Sequence, residues 1–226
     1  IVQQVTRQLR DKAEVRFRSS ATIPQEPSPA LSGLRVLDLS QGVSGPLCGM
    51  QLGDLGADVV KIEPLTGDWL RQIGPFVQSE SALFLQLNRN KRSLPLDHKT
   101  SAGKDILCRL LANADIVIEG YRPGVMERLG FGYDTVAALN HRIVYCSISA
   151  FGRNGPLADH PGTELAIQSF VGTNRQLGSV EAPPVRTGFD LAATETGFAA
   201  FQGILAALLW REHSGEGQHV ETSMLG

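Results

Sequence analysis

Residues 34–63 read LRVLDLSQGVSGPLCGMQLGDLGADVVKIE, and their reading decides the fold. LRVLDLS (34–40) is a short apolar run of strand length. Gly42 and Gly45 punctuate a turn, and Pro46 suits the first turn of a helix, where a missing N–H costs nothing. PLCGMQLGDLG (46–56) follows as that helix and closes on Gly56. ADVVKIE (57–63) is a second apolar strand. Strand, short helix and strand predict a βαβ unit with parallel strands and a right-handed crossover.

The alternation continues outward. SLPLDHK (93–99) reads as extended, TSAGKDILCRLLANA (100–114) as an amphipathic helix with a Thr/Ser start, and DIVIEGY (115–121) as a strand. PGVMERLG (123–130) and TVAALN (135–140) read as helices, and RIVYCSISAFG (142–152) as a strong strand. Residues 164–171 read as helical, 173–190 as irregular, 192–213 as a long apolar helix, and HVETSML (219–225) as a last strand. Alternating β and α units predict a doubly wound, mostly parallel α/β sheet. Ligands in such sheets bind beyond the strand carboxyl ends, so the loops 40–46, 63–68, 120–124 and 149–156 are expected on one edge. Ahead of this domain, residues 1–19 read as one amphipathic helix. SATIPQEPSPALS (20–32) has the composition of a linker, placing the domain at 33–226 and the helix with its linker at 1–32.

Composition narrows the function. The chain has 226 residues with 42% hydrophobic content, enough for a core. A net charge of −2 gives no general attraction to nucleic acid or to an anionic membrane. No apolar run is read as reaching the roughly 18 residues of a membrane span, and no signal core opens the chain, so a reducing cytoplasm is expected. Cys48, Cys108 and Cys146 fit no zinc spacing; Cys108 and Cys146 sit in apolar stretches and are expected to be buried and inert. The five histidines show no ligand spacing, so no metal is expected.

Several loops could carry chemistry. Ser40–Pro46 is glycine-rich and opens a helix, which suits an anion, but its spacing is not G-x-G-x-x-G. Glu63 ends the second strand, where a ribose-binding acid would sit; the alternative is a plain turn. Asn90, Lys91, Arg92 and Ser93, with Lys99 beyond, offer counter-charge to a phosphate or simply a solvated face. Arg122 follows a strand directly, and Arg128 lies one turn into the next helix. Ser149, Ala150, Phe151 and Gly152 end the strongest strand. Glu181 stands beside Pro183 and Pro184, with Arg186 and Asp190 near. A carboxylate on a rigid loop can act as a nucleophile, and spacing alone fits a surface acid as well.

Five segments together carry a resemblance: residues 31–68, LNRNKRSLPLDHK (87–99), DIVIEGYRPGVMERLGFGYD (115–134), RIVYCSISAFGRNGP (142–156) and GILAALLWREHSGEGQHVETSML (203–225). In order and spacing this chain resembles the family III CoA-transferases (the CaiB/BaiF family), which include formyl-CoA and carnitine-CoA transferases and α-methylacyl-CoA racemases. The resemblance implies a Rossmann-like large domain, a second domain largely missing here, and an interlocked dimer. It implies coenzyme A as the substrate carrier, with acyl-CoA and a carboxylic acid acceptor as partners. The CoA contacts it implies fall on Val43 and Ser44, on Leu96, Asp97, His98 and Lys99, on Gly120, Tyr121 and Arg122, on Arg128, and on Ser149, Ala150, Phe151 and Gly152.

The family's nucleophile is an aspartate in a D-G-P-P segment. Glu181-Ala182-Pro183-Pro184 matches it, one methylene longer, so transfer is expected through an acyl-glutamyl mixed anhydride. The alternative is a non-catalytic, CoA-binding or dimer-completing unit of a tandem or heteromeric enzyme. The racemase branch needs a histidine where Thr163 stands, although Asp190 matches its aspartate. A nucleotide-dependent oxidoreductase is the remaining reading, weakened by the glycine spacing.

Overall fold

The computed structural model describes residues 28–177, 179 and 181–225. The expected helix at 1–19 and most of the linker at 20–32 lie outside the described residues. Six parallel strands form the sheet: β1 (Arg35–Asp38), β2 (Asp58–Glu63), β5 (Lys91–Pro95), β6 (Ile116–Glu119), β7 (Val144–Ser149) and β8 (His219–Ser223). Their spatial order is β5-β2-β1-β6-β7-β8. Numbered within the sheet alone this is 3-2-1-4-5-6, the order of a Rossmann-type doubly wound fold. The order reverses between β1 and β6, which places the loops after these two strands over a crevice.

The inner strands β2, β1, β6 and β7 are largely apolar because both of their faces are covered, while the edge strands β5 and β8 carry mostly polar residues. On one face Val36, Val59, Ile116, Ile118, Val144, Cys146 and Ile148 pack under helix α1 (Ser44–Asp54) and helix α8 (Leu191–Ser214). On the other, Leu37, Ile62, Val117 and Tyr145 pack under α3 (Ser101–Leu111), α4 (Val125–Leu129) and α5 (Tyr133–Leu139). The alternation of Val36 with Leu37 and of Ile116 and Ile118 with Val117 is the two-residue period of a strand buried twice. Helix α8 is long enough, with mean hydropathy 1.3, to pass the length and composition test for a membrane span, against the reading that no such run exists. Here it lies across the sheet, with Ala200, Ile204 and Ala207 in the core.

Other departures have local causes. The region between β2 and β5 holds a 3-10 turn (Trp69–Gln72), a small antiparallel hairpin of β3 (Phe76–Val77) and β4 (Glu80–Ser81), and helix α2 (Ala82–Leu87). None is long enough to show a period. The stretch 173–190, expected to be irregular, follows α6 (Glu164–Phe170) and contains the short helix α7 (Thr173–Gln176). Strand β5 covers Lys91–Pro95 rather than 93–99, because Thr100 already caps α3 by accepting the Gly103 N–H. Cys108 is exposed, not buried: its helix turns it to the polar face, while Cys48 and Cys146 are buried.

Candidate functional site

The carboxyl edge is built on a cluster of buried charges. Asp38 and Lys61 stand opposite each other in the β1–β2 register, on the face that packs under α1. Lys61, only 1% exposed, donates to the Ser40 carbonyl at 2.8 Å and pairs with Asp68 at 3.0 Å. Lys91 reaches Asp38 at 2.8 Å and also donates to the Pro46 carbonyl. Asp38 in turn accepts the Ser40 N–H at 3.0 Å and the Ser40 hydroxyl. Burial by itself pushes the Asp38 carboxyl up, but the Lys91 and Lys61 ammonium groups and the hydrogen bonds from Lys91 and Ser40 reverse this and hold it at about 2. Charges buried this way persist only when paired and hydrogen-bonded.

The same cluster fixes two loops at once. Asp68 accepts the Gly42 N–H with both oxygens at 3.3 Å, tying the turn after β1 to the turn after β2. Its N–H goes to Glu63 at 2.9 Å, and its carboxylate caps Leu70. Glu63 also accepts Arg71 at 2.7 and 2.8 Å and the Ser93 hydroxyl at 2.7 Å. Burial raises the Glu63 carboxyl, and these donors outweigh it and hold it at about 2. Two expectations are corrected here. Glu63 is saturated by protein donors and is not free for a ribose. The Asn90–Ser93 cluster is not a phosphate counter-charge: Asn90 bonds Asp54, Lys91 points in to Asp38, Arg92 pairs with Asp58, and Ser93 serves Glu63.

Two cavities open on this edge. One, of about 370 Å³, lies between Pro64–Thr66 and Leu96–Lys99, with Gln41 and Tyr121 between them. It gathers four expected contacts from one loop, Leu96, Asp97, His98 and Lys99, together with Tyr121. His98 is 9% exposed and its Nδ1 has no hydrogen-bond partner. Burial, then the nearby Lys99 charge, lowers its proton affinity. The second cavity, of about 330 Å³, sits over the β1/β6 crevice. Ser40–Gly45, Gly120, Ser149 and Ala150 line it, so it takes in the expected Val43, Ser44, Gly120, Ser149 and Ala150. Gln41 belongs to both cavities, and Gly120 and Tyr121 are neighbours, so the two are adjacent.

Glycine is required at the turn. Gly42 has φ +78°, and a Cβ there would lie 2.6 Å from the Trp69 ring. The N-terminus of α1 carries no side-chain cap and no acidic residue in its first turn. Its positive dipole end lines the second cavity, whose wall also holds the Glu164 and Asp190 carboxylates.

The remaining expected residues lie around these cavities. Arg122 is exposed and lines a crevice of about 10 Å³ with Glu119, Glu127, Ser147 and Arg153. Exposed Arg128 lies against Gly124. Gly152 turns at φ +80° and donates its N–H to the Ser149 hydroxyl at 3.0 Å, while the Phe151 ring meets Phe170 edge-on. Glu181 is exposed and lines neither cavity. The carboxylates that do line the second cavity are Glu164 and Asp190. Glu164 is occupied, accepting Gln168 and the Ala192 and Ala193 N–H groups that open α8. Asp190 is held by Arg186, four residues earlier in the preceding loop.

Sequence reasoning missed Glu119. It ends β6 and is buried, accepting the Tyr121 N–H at 2.9 Å. Burial pushes its carboxyl up to about 7, with hydrogen bonds from Ser147 and the Tyr121 N–H opposing only in part. Ser147 Oγ lies 2.9 Å from His219 Nε2, extending the polar chain toward β8. A charged residue closing an otherwise apolar IVIE strand was the available signal.

The family model described as CoA-transferase family III matches residues 31–226. The chain belongs to CoA-transferase family III. Among similar family members, the formyl-CoA:oxalate CoA-transferase of Streptomyces avermitilis is 43% identical over 196 residues, covering 86% of this chain and 48% of that protein. The acetyl-CoA:oxalate CoA-transferase of Acetobacter aceti is 40% identical over 205 residues, covering 90% and 53%. The crystal structure of a CaiB/BaiF family protein from Brucella suis superimposes with TM-score 0.83 at 36% identity, covering 87% of this chain and 53% of that one. The chain thus spans about half the length of the family III relatives it matches.

Proposed function

We propose that the protein carrying this chain moves coenzyme A between carboxylic acids, and that this chain supplies the CoA-binding edge. The observation that carries the reading is the pair of adjoining cavities at the strand-order reversal of a family III chain. The nucleotide end of CoA occupies the cavity at Leu96–Lys99, with Lys99, Arg122 and Arg128 as cations for its phosphates. The pantetheine arm passes Gln41, Gly120 and Tyr121. The thioester then lies over Val43 and Ser44, with its carbonyl oxygen toward the positive end of α1. Ser149, Ala150, Phe151 and Gly152 close the edge on the β7 side.

The chemistry needs one carboxylate. Its oxygen attacks the thioester carbonyl, the C–S bond breaks, and CoA thiolate leaves a mixed anhydride. The thiolate then attacks the enzyme's own carbonyl, releasing the donor acid and leaving an enzyme thioester. The acceptor carboxylate repeats both steps in reverse, and CoA departs on the acceptor. Glu181 is the carboxylate the family pattern assigns. Asp190 is a second candidate, favoured by its place in the cavity wall. The names of the relatives above support small acids such as formate, acetate and oxalate as the exchanged class. A second copy or a second family unit completing the site, and a reducing cytoplasm, belong to the same proposal.

The test is calorimetric binding of free CoA, followed by exchange between acetyl-CoA and oxalate in wild type, Glu181→Gln and Asp190→Asn. A fall of several orders in one variant, with CoA still bound, identifies the nucleophile. No CoA binding by the wild-type protein would falsify the reading as a whole. Retained exchange in both variants would leave the chain as a CoA-binding unit without the nucleophile.

A further inference from the structure

Trp69 has no part in the reading so far, and its surroundings are unusual. Its backbone is fixed from three sides. Asp68 caps its turn from a fully buried position, Leu70 is buried, and Arg71 is clamped by Glu63 while its guanidinium lies 3.7 Å over the Phe84 ring. The Trp69 indole is nevertheless 52% exposed. One side of it rests on Gly42, where any side chain would collide with the ring. The rest lines the cavity over the β1/β6 crevice. The other walls there are mostly backbone or small side chains such as Gly45, Gly120, Ala150 and Ala193, and Trp69 is the one aromatic residue among the lining residues.

We infer that Trp69 is a specificity-determining residue: its indole is the wall that limits the size of the acyl group carried on the thioester. This rests on the CoA-transferase reading above. With the carbonyl turned toward Ser44, the acyl carbon chain must occupy what remains of the cavity, and the bulkiest ring in the wall sets how much remains. A rigidly anchored backbone makes this limit sharp, because the turn cannot yield without breaking the Asp68 and Glu63 contacts. An exposed aromatic face also gains cover when an acyl group lies on it. The class of ligand favoured is a short acyl thioester, with longer chains excluded by volume.

The experiment uses the full-length protein and a ladder of free CoA, acetyl-, butyryl-, hexanoyl- and octanoyl-CoA, with Kd measured for wild type, Trp69→Phe and Trp69→Ala. Wild type should prefer acetyl- over octanoyl-CoA. Trp69→Ala should shift that ratio toward octanoyl-CoA by at least ~10-fold, since a change of even one methylene in a tight pocket is worth about that much. Trp69→Phe should fall between, and free CoA should bind all three proteins within about threefold. An unchanged ratio in Trp69→Ala, with free CoA still bound, overturns the inference and leaves the transferase reading standing. Failure of wild type to bind free CoA overturns the transferase reading and the inference with it. Should Trp69→Ala not fold, fluorescence decides with Trp69→Phe: acetyl-CoA should change the emission of wild type more than free CoA does. The same difference persisting in Trp69→Phe would overturn the inference.

Discussion

Replacing Glu119 with glutamine should make the fold more stable at alkaline pH and leave it unchanged at acid pH. An ordinary glutamate titrates near 4.5, and burial at the end of β6 pushes Glu119 up to about 7. Between these values the folded protein holds a proton that the unfolded chain has released. Stability is therefore complete below about 4.5 and is lost as pH rises through 7. At ~1.36 kcal/mol per unit of pKa difference, forcing the charge into the fold costs about 3 kcal/mol above pH 8. The Glu119→Gln variant keeps the shape, and its amide oxygen can still accept the Tyr121 N–H, but it cannot ionise. His98 and His219 complicate the wild-type curve, because burial lowers both and adds an opposite slope on the acid side of neutrality. The difference between variant and wild type cancels them. The assay is urea unfolding from pH 5 to 8.5. The variant's advantage should be under about 1 kcal/mol at pH 5 and rise to about 3 kcal/mol at pH 8.5, most steeply near pH 6, midway between the two values. A difference that does not vary with pH would refute the burial argument, as would one that grows toward acid.

Other consequences are more local. Lys61→Met leaves Asp68 buried without its cation and should cost about 3–5 kcal/mol in chemical denaturation, as removal of one partner from a buried pair does. Gly42→Ala places a side chain at φ +78° against the Trp69 ring; calorimetry should show free-CoA affinity lowered at least ~10-fold, since a misplacement of about 1 Å in a binding turn is expensive. Lys99→Ala and Arg122→Ala should each weaken CoA binding and flatten its salt dependence, read by titration at several ionic strengths. Under native conditions a maleimide should modify Cys108 rapidly and leave Cys48 and Cys146 until unfolding, as mass spectrometry of the peptides will show.

The fold was legible wherever apolar runs were long enough to show a period. RVLD, DVVKIE, IVIE and VYCSIS are all inner strands of the sheet, with turn glycines such as Gly42 and Gly56 marking the first helix off from its strands. The segment from Trp69 to Leu87 was not legible, because elements of two to six residues leave no periodic trace. Charged residues misled for a different reason. Lys91 and Arg92 are adjacent in sequence, but strand geometry sends one inward to Asp38 and the other outward to Asp58. Glu63 looks available until Arg71, eight residues on, folds back over it. The candidate site was legible as a set of loops, since strand ends follow directly from topology. Glu181 shows what motif matching leaves open: the pattern fixes which residue type stands beside the prolines, while only three-dimensional packing brings a side chain to a cavity wall.

The reversal of strand order also governs when a binding edge can exist at all. Strand β1 meets β2 after one short helix, but its other neighbour, β6, begins about 80 residues along the chain, at Ile116 against Val36. Closing so long a loop is entropically costly and slow, so the central pairing should form late in refolding. The crevice over that pairing is absent until it does. Recovery of CoA binding during refolding should accordingly lag behind recovery of helical signal, making the ligand a reporter of the final topological step.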